Sequence, residues 1–194
     1  MEKIAILADS GCQIPVDSRE NEGIFIAPLT ITMEGKSYLD DIEIHSIDVF
    51  KRMEKDDIMV MTSQPSTGSL QEAVQKIKDQ GYSHVIGLPI ATGLSSTMNG
   101  MKLACDMLEM PVTLVDTKGT ASNQKYLVEV AAKLAREGKS PEEIKDILEK
   151  LVEDSATIIM VPNLEHLKKG GRITPAVAAL AGLLKIVPIM KLNY

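Results

Sequence analysis

The sequence predicts an α/β domain built on a largely parallel sheet flanked by helices, and two observations predict it. Short apolar runs alternate along the chain with helical patterns, the order expected of strands joined by crossover helices. The runs are mostly continuous in hydrophobicity rather than alternating, as strands buried on both faces are. At 194 residues the chain is long enough for one sizeable core and the beginning of a second lobe.

The elements follow in order. Strands are expected over Lys3 to Ala8, Ile24 to Thr32, Ile58 to Met61, His84 to Ile90, Val112 to Val115, Ala156 to Val161 and Ile186 to Leu192. Leu70, Val74 and Ile77 recur on one face of a helix that Gly81 closes, and Met98, Met101, Cys105 and Leu108 on another that Pro111 closes. Ser140-Pro141-Glu142-Glu143 combines an N-cap, a first-turn proline and a capping-box glutamate, which predicts a helix from Pro141 to about Glu153. Thr174-Pro175 opens a further helix before the last strand.

Composition narrows the function classes. A hydrophobic share of 44% with 25% charged residues is that of a folded globular protein. Aromatic residues are 3% of the chain and tryptophan is absent, so a stacking platform for nucleic-acid bases has almost nothing to build on. The formal charge of −6 repels phosphate backbones despite the basic run Lys168-Lys169-Gly170-Gly171-Arg172, and nucleic acid is not expected as a partner. Cys12 and Cys105 lie far apart, and no His or Cys pair has ligand spacing; neither a disulfide framework nor a metal site is expected. The amino terminus lacks a signal-peptide pattern, and with the cysteine usage the cytoplasm is the expected location. The apolar stretch from Thr174 to Met190 is interrupted by Pro175, Lys185 and Pro188 and falls short of the ~20 residues that span a bilayer, so no transmembrane segment is expected.

Two hydroxyl-dense turns carry the chemistry. Thr62-Ser63-Gln64-Pro65-Ser66-Thr67-Gly68-Ser69 and Thr92-Gly93-Leu94-Ser95-Ser96-Thr97 each lie at the exit of an apolar run and the entrance of a helix. Free backbone N–H groups and the positive dipole end favour an anion there. Ser and Thr are also what any helix start prefers, and Ser69 with Glu72 fits a capping box by itself. The surplus of hydroxyls over what two caps require points instead to a cradle for one acidic head group. Asp9 and Asp116 end apolar runs and serve either as turn caps or as a metal ligand or base. Gly170-Gly171-Arg172 is either a tight turn or a set of N–H groups and a guanidinium offered to an anion. Gly-x-Gly-x-x-Gly, a P-loop and Gly-x-Ser-x-Gly are all missing, which argues against nucleotide chemistry and hydrolysis.

Read in order, Ala8-Asp9-Ser10, Ala27-Pro28-Leu29, Tyr38-Leu39-Asp40-Asp41, Thr62-Ser63-Gln64-Pro65-Ser66, the turn Thr92 to Thr97, Leu114-Val115-Asp116 and Leu164 to Ile173 resemble the DegV family of bacterial fatty-acid-binding proteins. The resemblance spans essentially the whole chain. It departs from the family's usual Ser-Gly-Leu-Ser-Gly-Thr, with Thr92 in place of the leading Ser and Ser96 in place of the second Gly. Family members also continue well past the segment Leu183 to Met190, into a lobe that covers the lipid. The second lobe here is therefore expected to be truncated, with the tunnel open, completed by another chain, or lost. The implied organisation is an α/β head-group-binding domain over residues 1–165, followed by the Gly-Gly-Arg turn, a helix and a strand over 166–194 that lead into an incomplete second lobe.

The resemblance implies a long-chain fatty acid such as palmitate as bound ligand, no cofactor, no catalysis by the chain alone, and presentation of the acid to a separate fatty acid kinase subunit, with transient membrane contact for lipid exchange. Motif matching places Thr62 and Ser95 on the carboxylate, with Ser63, Thr92 and Gly93 completing the cradle and Ser96, Gly170, Gly171 and Arg172 in second rank. Burying ~14 methylenes at ~0.8 kcal/mol each offers roughly 11 kcal/mol, so the tail can dominate affinity. A neutral cradle would hold the carboxylate and leave an oxygen nucleophilic toward a phosphoryl donor. Two other classes stay open: a phosphotransfer or sugar-kinase relative using His45, His84 or His166, and a non-catalytic interaction fragment.

Overall fold

The structure, a computed structural model, describes residues 3–56, 58–161, 164–174, 177 and 187–192. In chain order the strands are β1 (Ile4–Asp9), β2 (Ile24–Ala27), β3 (Thr30–Met33), β4 (Lys36–Leu39), β5 (Val60–Ser63), β6 (His84–Leu88), β7 (Val112–Leu114), β8 (Ile158–Met160) and β9 (Ile189–Lys191). The helices are α1 (Ser46–Asp56), α2 (Thr67–Asp79), α3 (Thr97–Met107), α4 (Ala121–Arg136), α5 (Pro141–Glu153) and α6 (Glu165–Lys169).

The main sheet is parallel throughout, in the order β2-β1-β6-β7. Because side chains alternate across a strand, β1 serves two cores at once. Ile4, Ile6 and Ala8 meet Leu127, Val128 and Ala131 of α4 and Ile144 and Leu148 of α5. Ala5 and Leu7 meet Leu70, Val74 and Ile77 of α2 and Met101 and Ala104 of α3. This three-layer burial is why the strands read as continuous apolar runs.

The run Ile24 to Thr32 does not form one strand. Pro28 and Leu29 divide it, so that β2 stays in the parallel sheet and β3 enters a second, antiparallel sheet of order β4-β3-β5. The run Ile58 to Met61 joins that smaller sheet as β5, with Ile31 opposite Thr62 and Thr30 opposite Ser63. β3 and β4 are joined through Glu34 and Gly35, both at positive φ (50° and 76°), the conformation of a two-residue hairpin turn. α1 packs Val49 and Met53 against Ile31 and Met33 of this sheet, leaving Ile47 and Phe50 exposed.

β8 and β9 pair antiparallel, with Ile159 opposite Met190. The chain thus closes a ladder across the boundary read at residue 165. Apart from Thr174 and Val177, the helix expected from Thr174-Pro175 lies outside the described residues, as does the stretch 183–186 of the segment Leu183 to Met190. Among the described residues no helix is long and apolar enough to cross a membrane.

Chain order places β2 on one side of β1 and β6 on the other, so the connections diverge at the carboxyl ends of β1 and β6, where ligands of such sheets bind. Asp9, fully buried at the end of β1, fastens that point. Its Oδ2 accepts the Ile90 N–H at 2.7 Å, and its Oδ1 accepts the Gly11 N–H at 3.0 Å and Gln124 Nε2 at 3.2 Å. Of the two roles left open for Asp9, the structure shows the turn-fastening one. Burial pushes its pKa up to about 6, against the opposing effect of these donors.

The capping box at Ser140 forms as expected: Ser140 Oγ accepts the Glu143 N–H at 3.2 Å, and Glu143 Oε2 accepts the Ser140 N–H at 2.9 Å. Ser140→Ala should destabilise the protein by about 1 kcal/mol in urea unfolding, with α5 otherwise intact. Asp9 yields a second expectation. The folded pKa of about 6 lies above the unfolded value near 3.8, so the native state holds a proton that the unfolded state releases across that interval. Stability from this group therefore falls as pH rises from ~4 to ~6 and levels off above it, a change on the order of 3 kcal/mol. In Asp9→Asn that component of the pH dependence should vanish, as measured by urea unfolding at pH 4.5 and pH 7.

Candidate functional site

A cavity of about 400 Å³ opens between the antiparallel sheet and the loop after β6, a volume within the range of small-molecule sites. Arg172 marks a polar end, because it binds the backbone of Thr62, Leu94 and Gly170 at the wall; Ser63, Ser95 and His166 also line the cavity, as do Asp40 and Ser46. The rest is mainly apolar, formed by Leu29 and Ile31 of the β2–β3 segment, Val49, Phe50 and Met53 of α1, and Val60 of β5. α1 lays an amphipathic face over the small sheet, which makes the apolar wall continuous.

Each turn has a local reason for its shape. Ser66, not Ser69, caps α2: its Oγ accepts the Ser69 N–H at 3.0 Å. That leaves Thr62 and Ser63, at the end of β5, without a capping duty. In the second turn Ser95 Oγ lies 2.8 Å from Thr97 Oγ1 and accepts the Thr97 N–H at 3.3 Å. Ser95 thus helps to open α3 while standing at the cavity wall.

Thr92 is placed differently. Its hydroxyl donates to Asp116 Oδ2 and its N–H to Asp116 Oδ1 at 3.2 Å, while Lys118 N–H binds the same Oδ1 at 3.0 Å. Asp116 thereby pins the second turn to the loop after β7, and like Asp9 it acts as a fastener. Thr92, Gly93, Ser96 and Gly171 are not among the residues that line the cavity. The Thr92 hydroxyl, expected to help complete a cradle with Gly93, here has a carboxylate partner.

Arg172 sits where the two turns meet. Its Nε donates to the Leu94 carbonyl at 3.2 Å, Nη2 to the Thr62 carbonyl at 3.3 Å, and Nη1 to the Gly170 carbonyl at 2.6 Å. Three of five guanidinium donors are thus spent on backbone oxygens, and the charge remains at the cavity wall. The cradle read as neutral therefore carries a cation. The Gly170-Gly171-Arg172 backbone offers nothing to an anion. Gly170, Gly171 and Arg172 N–H groups donate to the His166, Lys168 and Leu167 carbonyls at 2.9, 3.0 and 2.8 Å, closing α6 as a C-terminal cap.

Asp40 also faces the cavity. Burial raises its carboxyl above the ordinary value, opposed by Ser10 Oγ, which donates to Oδ2 at 2.7 Å while accepting the Leu29 N–H at 3.0 Å. This network sets the bend at Pro28-Leu29 from which β3 departs. Nothing in the sequence marks Asp40 as a cavity residue, since two adjacent aspartates read as an ordinary solvated pair.

The histidines differ in setting. His45 Nδ1 lies 3.1 Å from Asp41 Oδ1, His84 Nε2 lies 2.9 Å from Thr113 Oγ1, and His166 stands at the cavity wall. Burial pushes the Cys12 thiol up to about 12 and the Cys105 thiol to about 11, so neither is a nucleophile near neutral pH. Among the described residues no group of three or more His, Cys, Asp or Glu side chains is arranged to hold a metal ion.

Comparison with known proteins gives a consistent result. The family model for DegV, described as an uncharacterised protein family, matches residues 3–194. The DegV domain-containing protein SA1258 of Staphylococcus aureus is 33% identical over 193 residues, which are 100% of this chain and 68% of that protein. Among solved structures, DegV of Bacillus subtilis, described as a fatty acid binding protein, superposes with a TM-score of 0.86 at 30% identity, covering 100% of this chain and 69% of that one. A DegV family protein of Thermus thermophilus, described by its fatty acid binding, gives 0.83 at 32% identity over 98% of this chain and 68% of that one. With the family model spanning nearly every residue and a relative one-third identical along the full length, this chain belongs to the DegV family.

Proposed function

We infer that the cavity holds a long-chain fatty acid, its carboxylate between Thr62 and Ser95 and its tail along the wall formed by α1 and the antiparallel sheet. One observation carries this reading: two hydroxyl residues from different sheets, Thr62 near the end of β5 and Ser95 in the turn after β6, line a single cavity whose remaining wall is mainly apolar. The fatty acid binding described for the Bacillus subtilis and Thermus thermophilus proteins supports it.

The physics divides the work between the two ends. Tail burial supplies most of the affinity, at ~0.8 kcal/mol per methylene. The head group must be compensated for leaving water, which hydroxyl donors and the nearby Arg172 charge can do. Arg172 has a second effect: by gripping the carbonyls of Thr62 and Leu94 it holds the two hydroxyls at a set spacing before ligand arrives. The chain then presents the acid to a separate kinase. In that step a carboxylate oxygen attacks the phosphorus of the kinase's phosphoryl donor, the bond from phosphorus to the departing group breaks, and an acyl phosphate forms. The phosphoryl donor and the groups that stabilise its departing group belong to the partner; the carboxylate, already ionised, needs no base.

Mass spectrometry of organic extracts from the purified protein should find a stoichiometric long-chain fatty acid. Extracts free of lipid, together with no binding of added palmitate, would overturn the reading. Thr62→Val and Ser95→Ala should each weaken palmitate binding by roughly fivefold to twentyfold and slow acyl-phosphate formation with a fatty acid kinase. Unchanged affinity and turnover in both variants would remove these hydroxyls from the site.

A further inference from the structure

We propose that His166 is a third ligand-binding side chain at the polar end of the cavity, its imidazole donating a hydrogen bond to the acid head group; this deepens, and rests on, the fatty-acid reading above. Among the described residues two buried side-chain polar atoms lack any hydrogen-bond partner, Gln124 Oε1 and His166 Nδ1. Buried polar groups in folded proteins are nearly all satisfied, and one that is not calls for a missing partner. Gln124 lies within the parallel-sheet core beside Asp9, where its Nε2 already serves Asp9 Oδ1 and the Leu88 carbonyl. His166 lies at the cavity wall with Arg172, Thr62 and Ser95, and is tied to Arg172 through Gly170, whose N–H donates to the His166 carbonyl and whose carbonyl accepts from Arg172 Nη1.

The ring is well placed to answer an acid. Its backbone is fixed by α6, where the His166 carbonyl accepts the Gly170 N–H at 2.9 Å, and two residues past Gly170 the Arg172 side chain reaches both hydroxyl turns. A carboxylate is an acceptor with about four lone-pair sites, and the hydroxyls of Thr62 and Ser95 fill two. An imidazole N–H is a donor in either tautomer. As the ring stands, Nδ1 is closed to water, so an acid oxygen seated between the two hydroxyls supplies the acceptor it lacks after a half-turn of the ring about its Cβ–Cγ bond. The interaction is charge-assisted and therefore stronger than a hydrogen bond between neutral groups. His166 is the one histidine of the chain that lines this cavity.

The test uses the whole chain, delipidated, with palmitate as probe. His166→Phe keeps an aromatic ring at the position and removes both nitrogens, whereas His166→Gln keeps a donor. The expected result is about tenfold weaker palmitate binding by His166→Phe, recovery to within about threefold of wild type in His166→Gln, and a shift of the His166 ring nitrogen resonances in ¹⁵N spectra of the wild type when palmitate is added. Wild-type affinity in His166→Phe with unmoved ring nitrogens would overturn the proposal. Equal loss in both variants with unmoved nitrogens would assign the ring to packing and overturn it too. If His166→Phe fails to fold, the wild-type ring resonances decide alone. A wild-type chain that binds no palmitate overturns the fatty-acid reading and this proposal together, whereas the preceding failures leave that reading standing.

Discussion

Thr62 ends a strand of the antiparallel sheet and Ser95 lies in a turn that leaves the parallel sheet; Arg172 is the side chain that reaches both segments. Its planar fork grips the Thr62 and Leu94 carbonyls and the Gly170 carbonyl of its own turn. Two independently formed sheets have no intrinsic reason to hold two hydroxyls at one spacing. A guanidinium anchored by the cap of α6 supplies that reason, because its donors are rigidly oriented and their acceptors are backbone atoms that cannot rotate away. Lysine could supply the charge but not the geometry.

Behind that contact stand two carboxylates that hold the loops from the other side. Asp9 ties the end of β1 to Ile90, and Asp116 ties Thr92 to the loop after β7. The second turn is therefore held at its start by acids and at Leu94 by a cation, which leaves Ser95 at the cavity wall. Burying Asp9 has an electrostatic cost, visible as its raised pKa. Three donors to its two oxygens offset part of that cost and give the loop a directional anchor that an apolar residue could not supply.

Much of the parallel sheet was legible from pattern because both of its faces are buried. β1, β6 and β7 read as apolar runs, and α2, α3 and α5 as periodic stripes with local start or stop signals. The smaller sheet was not legible in the same way. β2 and β3 form one apolar run in sequence, and it is the Ser10–Asp40 network that turns the chain at Pro28-Leu29. β4, with Lys36 and Ser37 exposed, carries too little hydrophobicity to stand out; the available signal was the Glu34-Gly35 pair as a two-residue hairpin turn. α1 turns Val49 and Met53 toward the small sheet but leaves Ile47 and Phe50 exposed, so its inward face does not stand out from its other apolar residues in the sequence.

The candidate site divides along the same line. Residue type and local position singled out the two hydroxyl-dense turns and the Gly-rich turn that carries Arg172, whereas the choice of Thr62 and Ser95 within those turns came from the family resemblance. What each hydroxyl faces was decided only by tertiary structure. Thr92 and Ser95 lie in one short turn, yet Thr92 is taken by Asp116 and Ser95 lines the cavity. The cavity itself exists because α1 and the antiparallel sheet, distant in sequence from the second turn, pack beside it. The sequence by itself determined the α/β class, the two hydroxyl turns and the family resemblance, since these depend on local periodicity and residue chemistry. Which side chains share a wall depends on contacts between segments far apart in the chain, and only the folded arrangement decides those.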